Sequence, residues 1–414
     1  MTQKPEFKVD LAKAQTATTT DTVEKKLEEV HFPDFINEYF ETNLAPSTKK
    51  TRIYAIKDFL DWLLNNSIIN KSRIQDITLE DFGQISTQDI EEYWGFLLDE
   101  PKESKHNDQI LAAMKATKDK SRLVTLESQL EKRSQGYVTT QLNANRALFT
   151  YLKKVALKKG GDSRYSAFKI SPWEGAEAPV YQQRENVATK RARIMDQMYT
   201  KRESLDLFNF MRNGYLDTID TKTRNGNDNL AYQKHMLNLE RNIALFALLE
   251  FSGMRISEAL SISVDQVDLD DLVIKNVQRK ENVRTDVNIQ ASAVGYLKDY
   301  LDVRREKYLD AKYEGYDDPF VYNALFLSIY QGRVRPLTAN GARTIIHKYS
   351  SAFGKATSPH KFRHSFTTGL LDVGASVTEI QQALGQTTSS ATEVYMHSSD
   401  EEQRRLLDAA DKLE

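Results

Sequence analysis

Hydrophobic positions along this chain recur mostly at helical spacing, and alternate only briefly. After Pro46-Ser47, the residues Ile53, Ile56, Phe59, Leu60, Leu63 and Leu64 fall on one helical face. Glu91 to Leu98 predicts a further helix, and Tyr137 to Leu157 another, with Leu142, Ala147, Leu148, Tyr151 and Leu152 on one side. Between these two, residues 101–136 are polar and charged and read as an inserted helical excursion. Arg241 to Phe251 is strongly apolar and is stopped by Gly253. Leu272 to Val277 and Val283 to Ile289 alternate as two strands about a charged turn at Lys280 and Asn282. Thr338 to Phe353 predicts a helix, and Pro359 suits the first turn of the next, which runs to Gly374. Ser376-Val377-Thr378-Glu379 is a capping box opening a helix that ends at Gly385, and two short helices follow, around Glu393 and from Asp400 to Leu413.

Punctuation divides these elements into two domains. Residues 1–30 are Thr-rich and Lys/Glu-rich and are expected to form a flexible arm or a loose helix. A helical domain spans 31–178, a linker 179–204, and a second, mostly helical domain with one small sheet 205–414. At 414 residues two cores are expected, because single cores stop growing below this size. The absence of cysteine excludes disulfides and thiolate metal sites. The longest nearly apolar run, Ile243 to Phe251, is too short to span a bilayer and contains Glu250. No hydrophobic signal core appears in the first thirty residues, so no membrane association and a cytoplasmic location are expected.

Charge changes the picture in one place. The net charge is −2, yet Arg146 to Arg193 holds eleven Lys/Arg against four Asp/Glu. That excess, with Lys153 and Lys154 inside it, points to a polyanion or to an ordinary solvated face. Lys49, Lys50 and Arg52 crowd the start of the first domain's main helix, where the dipole disfavours cations, a placement that fits contact with phosphates or equally a solvated charged face.

Candidate chemistry lies in the second domain. Arg255 and Glu258 are three apart at a helix start, so a carboxylate can orient a guanidinium fork suited to two phosphate oxygens. A surface ion pair has the same spacing. His360 and Arg363 are also three apart behind Pro359, where a helix N-terminus favours an anion and a histidine can move protons. His360 and His364 stand four apart, but Lys361 occupies the place of the glutamate that a helical zinc site uses as base, so no metal is expected. Tyr395 is one of 19 tyrosines and means little alone. Lys280, at a hairpin tip, has the reach of a proton donor and equally the look of a solvated turn lysine.

Taken together, the residues Gly253-Met254-Arg255-Ile256-Ser257-Glu258, His360 to Arg363, Leu384-Gly385-Gln386, Tyr395 and the hairpin Lys280 resemble the tyrosine recombinase (phage integrase) family, Xer type. Pro46-Ser47-Thr48 with Tyr54, Phe59 and Leu63 extends the likeness to the first domain. Arg279-Lys280, Tyr300 to Arg305 and Asp400-Glu401-Glu402-Gln403 are most similar to the single-protein Xer S kind of streptococci and lactococci.

The resemblance implies a helical core-binding domain and a mixed α/β catalytic domain that clamp double-stranded DNA at a specific site. It implies a homotetramer on two sites, without cofactor, metal or ATP, and a septal DNA translocase as a partner if the role is chromosome dimer resolution. Tyr395 would be the nucleophile, Arg255 and Arg363 the phosphate clamp, His360 the base, Lys280 the acid and Glu258 the support. Two departures stand out. Gln386 occupies the place of the usual histidine or tryptophan, and the hairpin lacks the family's glycines around its lysine. A mobile-element integrase, a DNA-binding relative without catalysis and a type IB topoisomerase remain the rival readings.

Overall fold

The computed structural model describes residues 10–102, 104–117, 119–159, 162–176, 198–222, 228–279 and 283–385. Lys280, Gln386, Tyr395, most of the expected linker and the two expected helices after Gly385 lie outside them. The chain divides into two compact units, one of Thr16–Arg184 and one of Met1–Gln15 with Glu185–Glu414.

The first unit is helical. Its elements are most of α1 (Leu11–Val30), then α2 (Asp34–Phe40), α3 (Pro46–Asn65), α4 (Leu79–Gly83), α5 (Thr87–Asp99), α6 (Lys105–Ala116), α7 (Lys120–Ser128) and α8 (Gln135–Lys158). Of the two alternatives for this segment, arm or loose helix, the structure has helix from Leu11 onward. Its few apolar residues are placed to anchor it, with Val23 buried and Leu27 and Val30 packed on the core.

The apolar stripe of α3 is buried at Ile53, Ile56, Phe59, Leu60 and Leu63, each worth roughly 1.5–3 kcal/mol of transfer free energy. α5 starts earlier than its apolar pattern suggests, because Ser86 and Asp89 close a capping box. Phe59, Phe82, Tyr93 and Phe149 form the aromatic centre, with Phe82 stacked on Phe149 at 4.8 Å and Phe59 against Tyr93 at 4.7 Å. The 101–136 excursion is the pair α6 and α7. It is closed at its neck by the bridge Pro101–Lys132 and by the buried side chain of Asn107, which donates to the carbonyls of Lys102 and Glu131.

The second unit carries α9 (Lys201–Asn213), α10 (Leu230–Ser252), α11 (Ile256–Leu260), α12 (Val294–Tyr308), α13 (Pro319–Asn323), α14 (Ala339–Ala352), α15 (Pro359–Asp372) and α16 (Val377–Leu384). α10 is the core helix, with every residue from Arg241 to Ser252 buried. Its polar first half, outside the predicted apolar run, is mostly in solvent or half-buried.

The expected hairpin is β2 (Val273–Gln278) against β3 (Arg284–Asn288), with the two-residue β1 (Val267–Asp268) added beside β2. A bulge between Ile274 and Val277 puts Asn276 at φ 56°, and Asn276 N–H donates to Asp286 there. A second sheet corrects the expectation of one. β4 (Leu327–Tyr330) pairs with β5 (Arg333–Pro336) across Gln331 and Gly332, both at positive φ, as a two-residue hairpin turn of the primed kind requires. Tyr300 and Arg304, part of the Xer S likeness, hold the chain just before β4. The Tyr300 hydroxyl and Arg304 Nε both donate to Leu325 O, and Arg304 reaches the carbonyls of Val321 and Tyr322.

Candidate active site

The buried α10 fixes where the first arginine stands. It ends at Gly253, whose φ of +62° suits glycine, and a Cβ there would lie 2.5 Å from Phe366 Cδ1. Two residues on, Arg255 opens α11 and is bound twice by Glu258. Its backbone N–H donates to Oε2 at 2.9 Å and its Nη1 to Oε1 at 2.8 Å. Glu258 is only 3% exposed, so this is no surface ion pair. The Arg255 side chain keeps 28% of its surface in solvent, leaving guanidinium free for an incoming group.

Arg363 comes from the first turn of α15. It is 7% exposed, its Nη1 donating to Gly253 O at 2.7 Å and its Nη2 to Leu384 O at 3.0 Å. Burial, then the charge of Arg255, pulls its pKa down to about 10, with Glu258 opposing and Arg279 adding to the depression. It remains charged at neutral pH. His360 lies one turn back on the same helix and keeps much of its surface in solvent. Partial burial, followed by the charges of Arg363, Arg255 and Arg343, holds its imidazole below the usual histidine range, so it is neutral and able to accept a proton at pH 7.

The structure thus brings together Arg255, Glu258, His360 and Arg363, all predicted from sequence. It adds Arg279, whose Nη1 donates to Glu258 Oε2 at 2.8 Å, and Arg343, whose charge acts on His360. The signal for Arg279 was its pairing with Lys280 in the likeness to the Xer S kind, which gave it no role; nothing in the sequence singled out Arg343. Three guanidiniums around one carboxylate leave a positive surplus, with the Arg255 fork open to solvent, which suits a tetrahedral dianionic or monoanionic group such as a phosphodiester.

The expected DNA contacts of the first unit fare unevenly. Lys50 and Lys154 are exposed and Lys49 is half-buried. Arg52 donates to the Tyr39 hydroxyl and lies 5.7 Å from that ring's centroid, while Lys153 pairs with Glu174 at 2.5 Å. Arg52 is thereby partly committed to the protein's own interior. Among the described residues, no helix is long and apolar enough to cross a membrane.

Two anchored arginines and a histidine gathered at helix starts suit a reaction at a phosphate group. Residues 229–402 match the profile of the phage integrase family, and the chain is similar to the tyrosine recombinases, enzymes that cleave and rejoin DNA. Among curated relatives, the tyrosine recombinase XerS of Streptococcus uberis is 26% identical over 390 residues, covering 93% of this chain and 98% of that protein. XerS of Streptococcus agalactiae serotype III is 27% identical over 380 residues, covering 91% and 95%. Of solved structures, the XerH site-specific recombinase bound to its palindromic difH substrate, a post-cleavage complex, aligns with a TM-score of 0.52 at 16% identity over 98% of each chain. That likeness concerns the fold.

Proposed function

We propose that this protein is a site-specific DNA recombinase that resolves chromosome dimers in the manner of Xer proteins. The observation that carries the catalytic part is the buried Glu258 clamp. It holds Arg255 by backbone and side chain while Arg363 is pinned by two carbonyls, so both forks are set before substrate arrives.

On this reading the Tyr395 hydroxyl attacks the scissile phosphorus and its proton passes to His360. The bond from phosphorus to the 5′ oxygen breaks, and Lys280 protonates that oxygen. A 3′-phosphotyrosyl ester and a free 5′-hydroxyl result, and attack by a 5′-hydroxyl reverses the step. Arg255 and Arg363 stabilise the charge that develops on the non-bridging oxygens, a role worth several kcal/mol per donor. Gln386 can supply one amide N–H to the same phosphate. The ester stores the bond energy, so neither ATP nor a metal is needed.

The Xer role is favoured by the XerS relatives, which match over nine-tenths of this chain. It implies a specific duplex site, four subunits on two sites, a septal DNA translocase as partner, and work in the cytoplasm. The deciding experiment incubates the full chain with suicide duplexes cut from its own genome near the replication terminus and looks for a protein–DNA adduct. An adduct that disappears in Tyr395→Phe, with duplex binding kept, is expected. A wild-type adduct on element ends and none on terminus sequences would move the role to mobile-element integration. An adduct that persists in Tyr395→Phe would assign the attack elsewhere.

A further inference from the structure

Among the described residues, Arg279 is the least exposed cation of the site, and none of the steps above uses it. It stands directly after β2, 6% exposed, and its guanidinium meets three different parts of the fold. Nη1 donates to Glu258 Oε2 at 2.8 Å and leans on Leu384 O at 3.4 Å, while Nε donates to Thr285 Oγ1 at 3.1 Å on β3. Its backbone N–H closes the far side of the turn onto Val283 O at 2.7 Å. Gly385 packs directly on it, since a Cβ at Gly385 would come within 3.0 Å of Arg279 Nε. Leu384 O, the carbonyl it leans on, is the same one that accepts from Arg363.

A buried guanidinium is costly unless paired, so its retention at a point where α11, the hairpin and the end of α16 converge calls for a use. The two residues that follow these anchor points in the chain are Lys280, next after Arg279, and Gln386, next after Gly385. We propose that Arg279 is a positioning residue. It clasps the base of the β2–β3 hairpin to the C-terminal end of α16 and to the Glu258 carboxylate, and so fixes the point from which Lys280 reaches the leaving 5′ oxygen. This rests on the reading of Lys280 as the general acid. Lysine cannot replace it, because a single ammonium cannot span a carboxylate, a hydroxyl and a carbonyl in three directions.

The test separates proton delivery from phosphate binding. Full-length protein is given two suicide duplexes, one all-oxygen and one with sulfur as the bridging 5′ atom at the scissile phosphate. A thiolate leaves without a proton because thiols are far more acidic than alcohols. On the all-oxygen duplex Lys280→Ala should slow adduct formation by about 100-fold or more, and Arg279→Gln by about 10- to 100-fold, the scale of a misplaced catalytic group. On the sulfur duplex both should come within about threefold of wild type, because no acid is then required.

Arg279→Lys, which keeps the charge, should show the same substrate-dependent defect. Wild-type rates for Arg279→Gln on the all-oxygen duplex overturn the inference. So does an equal loss on both duplexes, which would assign Arg279 to the phosphate arginines through Glu258. If Lys280→Ala is equally slow on both, the acid assignment itself is at fault and the inference falls with it. Should both Arg279 variants fail to reach the wild-type thermal transition, Arg279 is a folding residue and no positioning role survives.

Discussion

Glu250 is the carboxylate buried within the apolar half of α10, 6% exposed, with one oxygen lacking any hydrogen-bond partner. Burial raises its pKa from 4.5 to about 8, only partly offset by the neighbouring Ser204 hydroxyl. Over that interval the folded protein holds a proton that the unfolded chain has released. Stability is therefore fully present below about 4.5 and is lost as pH rises towards about 8. At about 1.36 kcal/mol per pH unit the interval corresponds to roughly 4–5 kcal/mol as a ceiling.

Relaxation and water entry reduce that figure, so we expect about 2 kcal/mol, or about 4–8 °C in the transition of a unit this size. Glu250→Gln keeps the shape and removes the charge. Thermal unfolding of both proteins should coincide near pH 5 and separate progressively to pH 8, with the glutamine variant the more stable. A separation that does not change with pH would refute the reasoning. A separation that grows with the opposite sign would show that the ionised carboxylate is stabilised by a group not considered.

Arg363→Lys should slow adduct formation by about 100- to 1000-fold while leaving duplex affinity within a few-fold, because an ammonium cannot reach both Gly253 O and Leu384 O and still face a phosphate; a wild-type rate in single-turnover assays would remove Arg363 from the clamp. The lowered pKa of His360 means its base form persists below pH 6.5. The acid limb of the cleavage profile, measured at subsaturating DNA, should accordingly fall below that value, and a half-maximal rate at or above it would assign the limb to another group. Gly253→Ala should cost about 2–4 kcal/mol in urea unfolding, from left-handed backbone strain and overlap with Phe366 and Leu384. An effect under about 0.5 kcal/mol would mean that the turn relaxes freely.

The grouping of Arg255, Glu258, His360 and Arg363 was legible because its geometry is local. Arg255 with Glu258, and His360 with Arg363, each sit within one turn of a helix start, and helical spacing alone puts them on one side. Arg279 was not, because its partners lie about twenty and one hundred residues away in sequence and no local spacing encodes that meeting. The strand alternation gives a partial hint, since Val277 and Arg279 are both buried and so share the inward face. The β4–β5 hairpin escaped notice because each strand is four residues long and its turn uses Gln331-Gly332 rather than an asparagine–glycine pair. α1 was legible only as one of two alternatives, an arm or a loose helix, because it is held by a few anchors rather than a continuous stripe.

The neck of the α6–α7 excursion has a practical consequence. Chain leaves at Pro101 and returns at Lys132 as paired backbone, and the Lys102 ammonium and Glu131 carboxylate meet at 2.5 Å across the gap. A segment inserted between α6 and α7 leaves the neck contacts of Lys102, Asn107 and Glu131 in place. A fluorescent domain or an affinity peptide inserted there would report on assembly of the protein in a living cell without a tag at either terminus.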